Sequence, residues 1–129
     1  MELERLTDIE LLALLIAAEA DNQPLEGKVA VACVPVERLR RGRWGLTLRQ
    51  VIMQPYQFSA FNVNSHYMRF AGRIGAHIVL AELAINNLCN SPTNGATHYH
   101  TADILPVWAK SPAMIRRGQI GAHLFYQEQ

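Results

Sequence analysis

Glu19 is an acid set among small apolar residues, after Ala17-Ala18 and before Ala20, at the end of the apolar stretch Ile9–Ala20. A carboxyl in such surroundings loses hydration when it is charged, which raises its pKa. A carboxyl raised toward neutrality suits general-acid chemistry. The competing reading is a helix-end glutamate turned to solvent. A second patch, Tyr56-Gln57-Phe58-Ser59-Ala60-Phe61-Asn62, mixes rings, amides and a hydroxyl. Rings stack on pyranose faces, and amides bond hydroxyls and N-acetyl groups, so the patch suits a sugar. Its aromatics could equally anchor a loop to the core. A third patch, Gly95-Ala96-Thr97-His98-Tyr99-His100, puts His98 and His100 on one face of a strand. With His123 they could ligate zinc. There is no His-Glu-x-x-His run, however, and histidine pairs more often serve hydrogen-bonded structure. Arg38, Arg40, Arg41 and Arg43, beside Trp44, could meet phosphate or an acidic polymer. Cations at a helix end, facing its dipole, explain the same cluster.

The elements that must position these groups are legible from pattern and punctuation. The chain has 129 residues, half of them hydrophobic, 18% charged, with net charge +1. That is one domain, residues 1–129, with enough apolar surface for a core and too little charge for disorder. The pI near 7.9 argues against a strongly basic nucleic-acid module. No apolar run reaches the ~20 residues of a membrane helix. Residues 1–26 hold seven acids and one base, and residues 27–129 hold four acids and eleven bases. The basic body suits an anionic polymer, or is an ordinary solvated surface. Cys33 and Cys89 have no metal-ligand spacing and read as reduced thiols.

Thr7-Asp8-Ile9-Glu10 is a capping box, with Leu6 and Leu11 as its hydrophobic staple. The helix that follows is apolar on all faces, which marks a core element. Asp21 or Asn22 is expected to cap a second helix that begins near Pro24 and stops at Gly42. Pro35 should kink or split it. A short helix starts at Thr47, with Gln50 as the partner of a second capping box, and ends before Pro55. Phe70, Ile74, Ile78, Ala81, Ile85 and Leu88 give a long helix from about Met68 to Leu88. Ala96 to His100 is a weak strand pattern. Ile115 to Tyr126 reads as a hairpin turning near Arg117-Gly118. The expected fold is a helix-dominated α+β domain with a small late sheet.

Six motifs in order resemble the catalytic domain of SleB-type cell wall hydrolases, the spore cortex-lytic enzyme family. They are Ala18-Glu19-Ala20, Pro24 to Ala32, Gln57 to Asn62, Gly95 to Tyr99, Trp108, and Ile120 to Tyr126. The resemblance runs from about Leu11 to Tyr126. It implies a lysozyme-like, lytic-transglycosylase-like domain that cleaves the glycan strand of peptidoglycan, with Glu19 as the family's catalytic acid. Tyr56, Gln57, Phe58, Ser59, Phe61 and Asn62 would line the sugar groove, with Thr97, His98 and Tyr99 opposite Glu19. Tyr99 is the choice for a hydroxyl that holds the N-acetyl group or the developing oxocarbenium charge. Three positions depart from the family pattern. Gln23 stands where many members carry a second Glu, Glu37-Arg38 where an Asn-Arg pair is usual, and Gln119 where Thr is common.

Hydrolysis needs a second carboxylate, about 6.5–9.5 Å away for inversion or about 5–5.5 Å for retention. Asp21, Glu26, Glu37, Glu82 and Asp103 are the candidates, Glu26 first among them. None has a context that demands the role. A single acid suffices if the muramic 6-hydroxyl attacks its own anomeric carbon, so the expected products are 1,6-anhydro ends. Simple hydrolysis, a zinc amidase or peptidase, and a non-catalytic polymer-binding module are the alternatives. The working expectation has no cofactor and no metal. The partner is a peptidoglycan strand rather than nucleic acid or membrane, and the protein is a monomer. The acidic start, Glu2 to Glu10, does not read as a signal peptide. The chain thus resembles a phage endolysin, made in the cytoplasm and reaching the wall by holin-type release.

Overall fold

The computed structural model describes residues 3–54, 58, 67–88 and 90–129. Helix α1 (Asp8–Ala20) opens on Thr7, whose side chain accepts from the Glu10 N–H while the Glu10 carboxylate accepts from the Thr7 N–H. Both bonds of the capping box are made, and Leu6 and Leu11 are both buried. Leu11 through Ala17 and Ala20 are buried, so α1 is the central rod of the core. It is wrapped by α2 (Leu25–Arg41), α3 (Leu48–Ile52), α4 (Ile74–Ile85) and the 3-10 stretch Tyr67–Arg73. Among the described residues no helix is long and apolar enough to cross a membrane.

Helix α2 runs unbroken past Pro35 and ends at Gly42, whose φ of 75° is the left-handed geometry a glycine adopts freely. The expected split does not occur. Pro35 removes one helical N–H, but Ala30–Ala32 and Val34 before it and Arg38 after it are buried, and that packing keeps the helix continuous. The N-cap of α2 is Pro24, with no side-chain cap, rather than Asp21 or Asn22. Thr47 caps α3 by accepting from the Gln50 N–H. The return bond of that box goes instead from the Leu46 N–H to the Gln50 side chain. The last helix is shorter than the apolar spacing suggests. Gly72 and Gly75 weaken its start, Asn87 at φ 56° follows its end, and Leu88 is 71% exposed.

The late sheet is antiparallel with order β1-β3-β2, from β1 (His98–Thr101), β2 (Met114–Ile120) and β3 (His123–Glu128). The hairpin turns at Gly121-Ala122, not at Arg117-Gly118. Gly118 instead marks an irregularity in the pairing, where the register shifts between Arg116 and Gly118. Thr101 pairs with His123 and Tyr99 with Phe125, so these four share the face toward the helices. His98, His100, Leu124 and Tyr126 share the other face.

Candidate active site

Glu19 lies in the last turn of α1, one residue before its end. Ala17 and Ala20 beside it are buried, while Glu19 itself is half-exposed. The last turn carries no basic residue, so the negative end of the helix dipole is left to the groups around it. Glu19 opens into a cleft of about 450 Å³, completed by Asn22, Gln23, Thr101, Ala102, Asp103, Ala122 and His123. One wall is thus the α1–α2 connection, and the other is the end of β1 with the hairpin turn. Gln23 ties the two walls, its Oε1 accepting from the Ala122 N–H at 2.9 Å. Gly121 stands directly over that contact. Its φ is +57°, and a Cβ there would lie 2.2 Å from Gln23 Oε1.

Tyr99 and His123 face the same side as Glu19. Their rings meet edge to face, with centroids 5.3 Å apart. Burial and the nearby Glu19 charge push the Tyr99 phenol well above its ordinary value, so it stays a neutral hydroxyl. Burial, then the influence of His100, lowers the His123 pKa, which favours the neutral imidazole. The Tyr99 ring is partly exposed, but its hydroxyl oxygen is closed off from solvent.

The other face of the sheet is different in kind. His98 packs against Trp44 and Trp108 at 5.8 and 4.9 Å. His100 stacks on Tyr126 and bonds its hydroxyl at 2.9 Å. Burial and the neighbouring Arg38 lower the His98 pKa to about 4. The sheet therefore separates His98 and His100 from His123, and the three do not converge on one point. Thr97 is fully buried, its hydroxyl bonded to His98 Nδ1 and to the Glu128 N–H. Tyr99 is thus the one of the three strand residues whose side chain faces Glu19.

The arginine cluster is tied into the fold. Arg38 is 2% exposed and donates from Nε to the Thr97 carbonyl at 2.6 Å. Its guanidinium lies over Trp44 and Phe58, at 5.0 and 4.9 Å from the ring centroids. Burial lowers its pKa to about 10, still a cation at neutral pH. Arg40 and Arg41 pair with Glu37, and Arg43 with Glu128. Burial opposes ionisation of Glu37, but the hydrogen bonds from Arg40 and Arg41 prevail and hold it below the ordinary value. Phe58 is a core residue, 3% exposed, between Arg38 and Tyr99. With Arg38, His98, Tyr99, Trp108, Met114 and Glu128 it lines a second cavity of about 230 Å³. Tyr56, Gln57, Ser59, Phe61, Asn62 and Cys89 lie outside the described residues. Cys33 is half-buried on α2.

Of the five second carboxylates considered, Asp103 lines the cleft with Glu19, and Glu26 does not. Glu82 is exposed on α4. Asp21 turns toward α4, where its Oδ1 meets His77 Nε2 at 2.7 Å and accepts from Arg73 Nε at 3.1 Å. The His77 bond, then Arg73, holds its pKa below the usual carboxylate value. Sequence reasoning weighed His123 as a metal ligand and missed it as a cleft residue. Its alternation with Phe125, which the register sets opposite Tyr99, was the available signal.

Residues 22–126 match the model of the cell wall hydrolase family, Hydrolase_2, a match that begins just after Glu19. The chain is 34% identical to a spore cortex-lytic enzyme of Halalkalibacterium halodurans, covering 92% of this chain and 34% of that protein. It is 30% identical to the cell wall hydrolase CwlJ of Bacillus subtilis, covering 93% of this chain and 84% of the relative. It spans about a third of the length of the first relative and most of the second. Among solved structures it is similar to the catalytic domain of the Bacillus cereus SleB protein, with TM-score 0.73 and 27% identity over 93% of this chain and 89% of that one. It is also similar to the catalytic domain of the germination-specific lytic transglycosylase SleB of Bacillus anthracis, with TM-score 0.71 and 25% identity over 93% of both chains. With a family match across most of its length and the helical, late-sheet architecture of the SleB catalytic domains, the chain belongs to the cell wall hydrolase family.

Proposed function

We propose that the protein cleaves the glycan strand of peptidoglycan between N-acetylmuramic acid and N-acetylglucosamine, with Glu19 as the general acid. The observation that carries this is the setting of Glu19, an acid at the end of a buried apolar helix that opens into a cleft lined by Asp103 and His123, with the Tyr99 ring in contact with His123. The lytic transglycosylase of Bacillus anthracis among its structural relatives supports the same reading. Glu19 gives its proton to the glycosidic oxygen as the bond to the anomeric carbon breaks. The muramic 6-hydroxyl attacks that carbon, and its proton returns to Glu19. No water is consumed, and the product carries a 1,6-anhydro end. In this proposal the Tyr99 hydroxyl is assigned to the N-acetyl group or the oxocarbenium charge. Tyr56, Gln57, Ser59, Phe61 and Asn62 complete the groove in this proposal. Acting as a monomer after holin-type release from a phage-infected bacterium remains part of the same proposal.

One observation favours a second outcome, hydrolysis, because Asp103 lines the cleft with Glu19 and could activate water. Two measurements test these readings. Glu19→Gln keeps the shape and removes the proton, so sacculus lysis by turbidity should fall by at least about a hundredfold in a folded protein. Wild-type lysis by that variant would end the proposal. Mass spectrometry of released muropeptides should show ends lighter by one water. Reducing muramic ends alone would favour hydrolysis, with Asp103 as the first residue to replace.

A further inference from the structure

Three side-chain atoms among the described residues are buried without a hydrogen-bond partner: the Tyr99 hydroxyl and both ring nitrogens of His123. Folded proteins pair nearly all such atoms, and each orphan is destabilising. Here all three sit on two touching rings, and both rings belong to the reactive side of the sheet. His123 lines the cleft beside Glu19, and Tyr99 is close enough to feel the Glu19 charge. A neutral imidazole offers one donor and one acceptor, and a phenol offers both. Their complement is a neutral group that carries both a donor and an acceptor, and on an amino-sugar the acetamide offers these on two separate atoms beside a methyl. A carboxylate or ammonium would give up its hydration for a neutral, buried surface. Phe125, fully buried, lies 5.8 Å from the Tyr99 ring and 6.2 Å from the His123 ring, an apolar flank suited to a methyl group.

We infer that His123 is a specificity-determining residue that, together with Tyr99, hydrogen-bonds the acetamido group of the sugar at the cleaved bond. This rests on reading the cleft as a glycan site. His123 lines the cleft and is the first residue of β3, next to the Gly121-Ala122 turn, and engaging the ligand requires its ring to turn toward the cleft.

The test compares purified sacculi with the same sacculi chemically N-deacetylated. The wild type is expected to favour the acetylated glycan by about tenfold or more in kcat/KM, the worth of at least one neutral hydrogen bond. His123→Phe should lose rate on acetylated glycan only, so that the preference falls toward one. His123→Gln keeps a donor and an acceptor and should restore most of it. Tyr99→Phe removes a hydroxyl that holds nothing in the fold, so it should fold normally and also lose the preference. If His123→Phe does not fold, His123→Ala, which also lacks both ring nitrogens, takes its place beside Tyr99→Phe. A wild type indifferent to acetylation, or an undiminished preference in folded Tyr99→Phe together with folded His123→Phe or His123→Ala, overturns the inference. Failure of the underlying glycosidase reading shows separately, as full activity in Glu19→Gln.

Discussion

Replacing Gly121 by alanine tests how the cleft is held together. The new Cβ meets Gln23 Oε1 at 2.2 Å and Pro24 Cδ at 3.3 Å. The first contact is impossible, so the Gln23 side chain must move. Moving it breaks the bond from the Ala122 N–H, a loss of about 0.5–1.5 kcal/mol. The backbone adds its own cost, because φ is +57° and an alanine in the left-handed region is about 1–2 kcal/mol worse than glycine. Together these amount to about 1.5–3.5 kcal/mol, or roughly 6–13 °C in Tm for a domain of this size. Urea denaturation of Gly121→Ala, Gln23→Ala and the double variant separates the two causes. Gln23→Ala alone should cost about 1 kcal/mol. The double variant should be no worse than Gly121→Ala, because the clash and the lost bond involve the same side chain. Costs that add, or a Gly121→Ala protein within about 0.5 kcal/mol of wild type, would refute the argument. Gln23→Glu keeps an acceptor for the Ala122 N–H and should leave stability near wild type at neutral pH.

His98 should make the fold acid-sensitive. Its pKa falls from 6.5 to about 4 on folding, so the unfolded chain binds the extra proton between those values. The stabilisation is complete above pH 6.5 and is lost as pH falls toward 4. It amounts to about 3 kcal/mol, read as a falling urea midpoint that His98→Gln flattens. Arg38→Met removes a cation that depresses His98, so histidine NMR titration in that variant should move the His98 pKa upward. Asp21→Asn keeps an acceptor for His77 but loses its charge, and thermal unfolding at neutral pH should show a loss of about 1 kcal/mol. Because the folded pKa of Asp21 is depressed, that difference should close as pH falls below its unfolded value of 3.8.

The helices were legible because their signals are local. The Thr7 box, the all-apolar face count of α1 and Gly42 each declare an element within a few residues. Glu19 was legible for the same reason, being an acid inside that apolar run. Pro35 misled because a local penalty was outweighed by packing on both sides of it. Asp21 misled because its partners, Arg73 and His77, are more than fifty residues away, and a capping role was the nearest explanation. In the hairpin two glycines competed for one turn. Only the strand register shows that Gly118 serves the irregularity and Gly121 the turn. The edge-to-face contact of Tyr99 with His123 on one face of the sheet needs that register too, so His123 could be noticed in the sequence but not placed.

The order of strands in the sheet bears on timing. β3 is the last strand in the chain and the middle one in space, so β1 and β2 have no sheet to join until residues 123–128 arrive. Glu19 is placed early, in a helix that carries its own cap, yet the opposite wall of its cleft comes from residues 101–103 and 122–123. A growing chain therefore holds the acid for about a hundred residues of synthesis before its cleft exists. Clipping the chain before β3 would leave a helical bundle with its carboxyl intact and no site. Under the proposed function, a bond-breaking activity built this way would be latent until β3 closes the sheet.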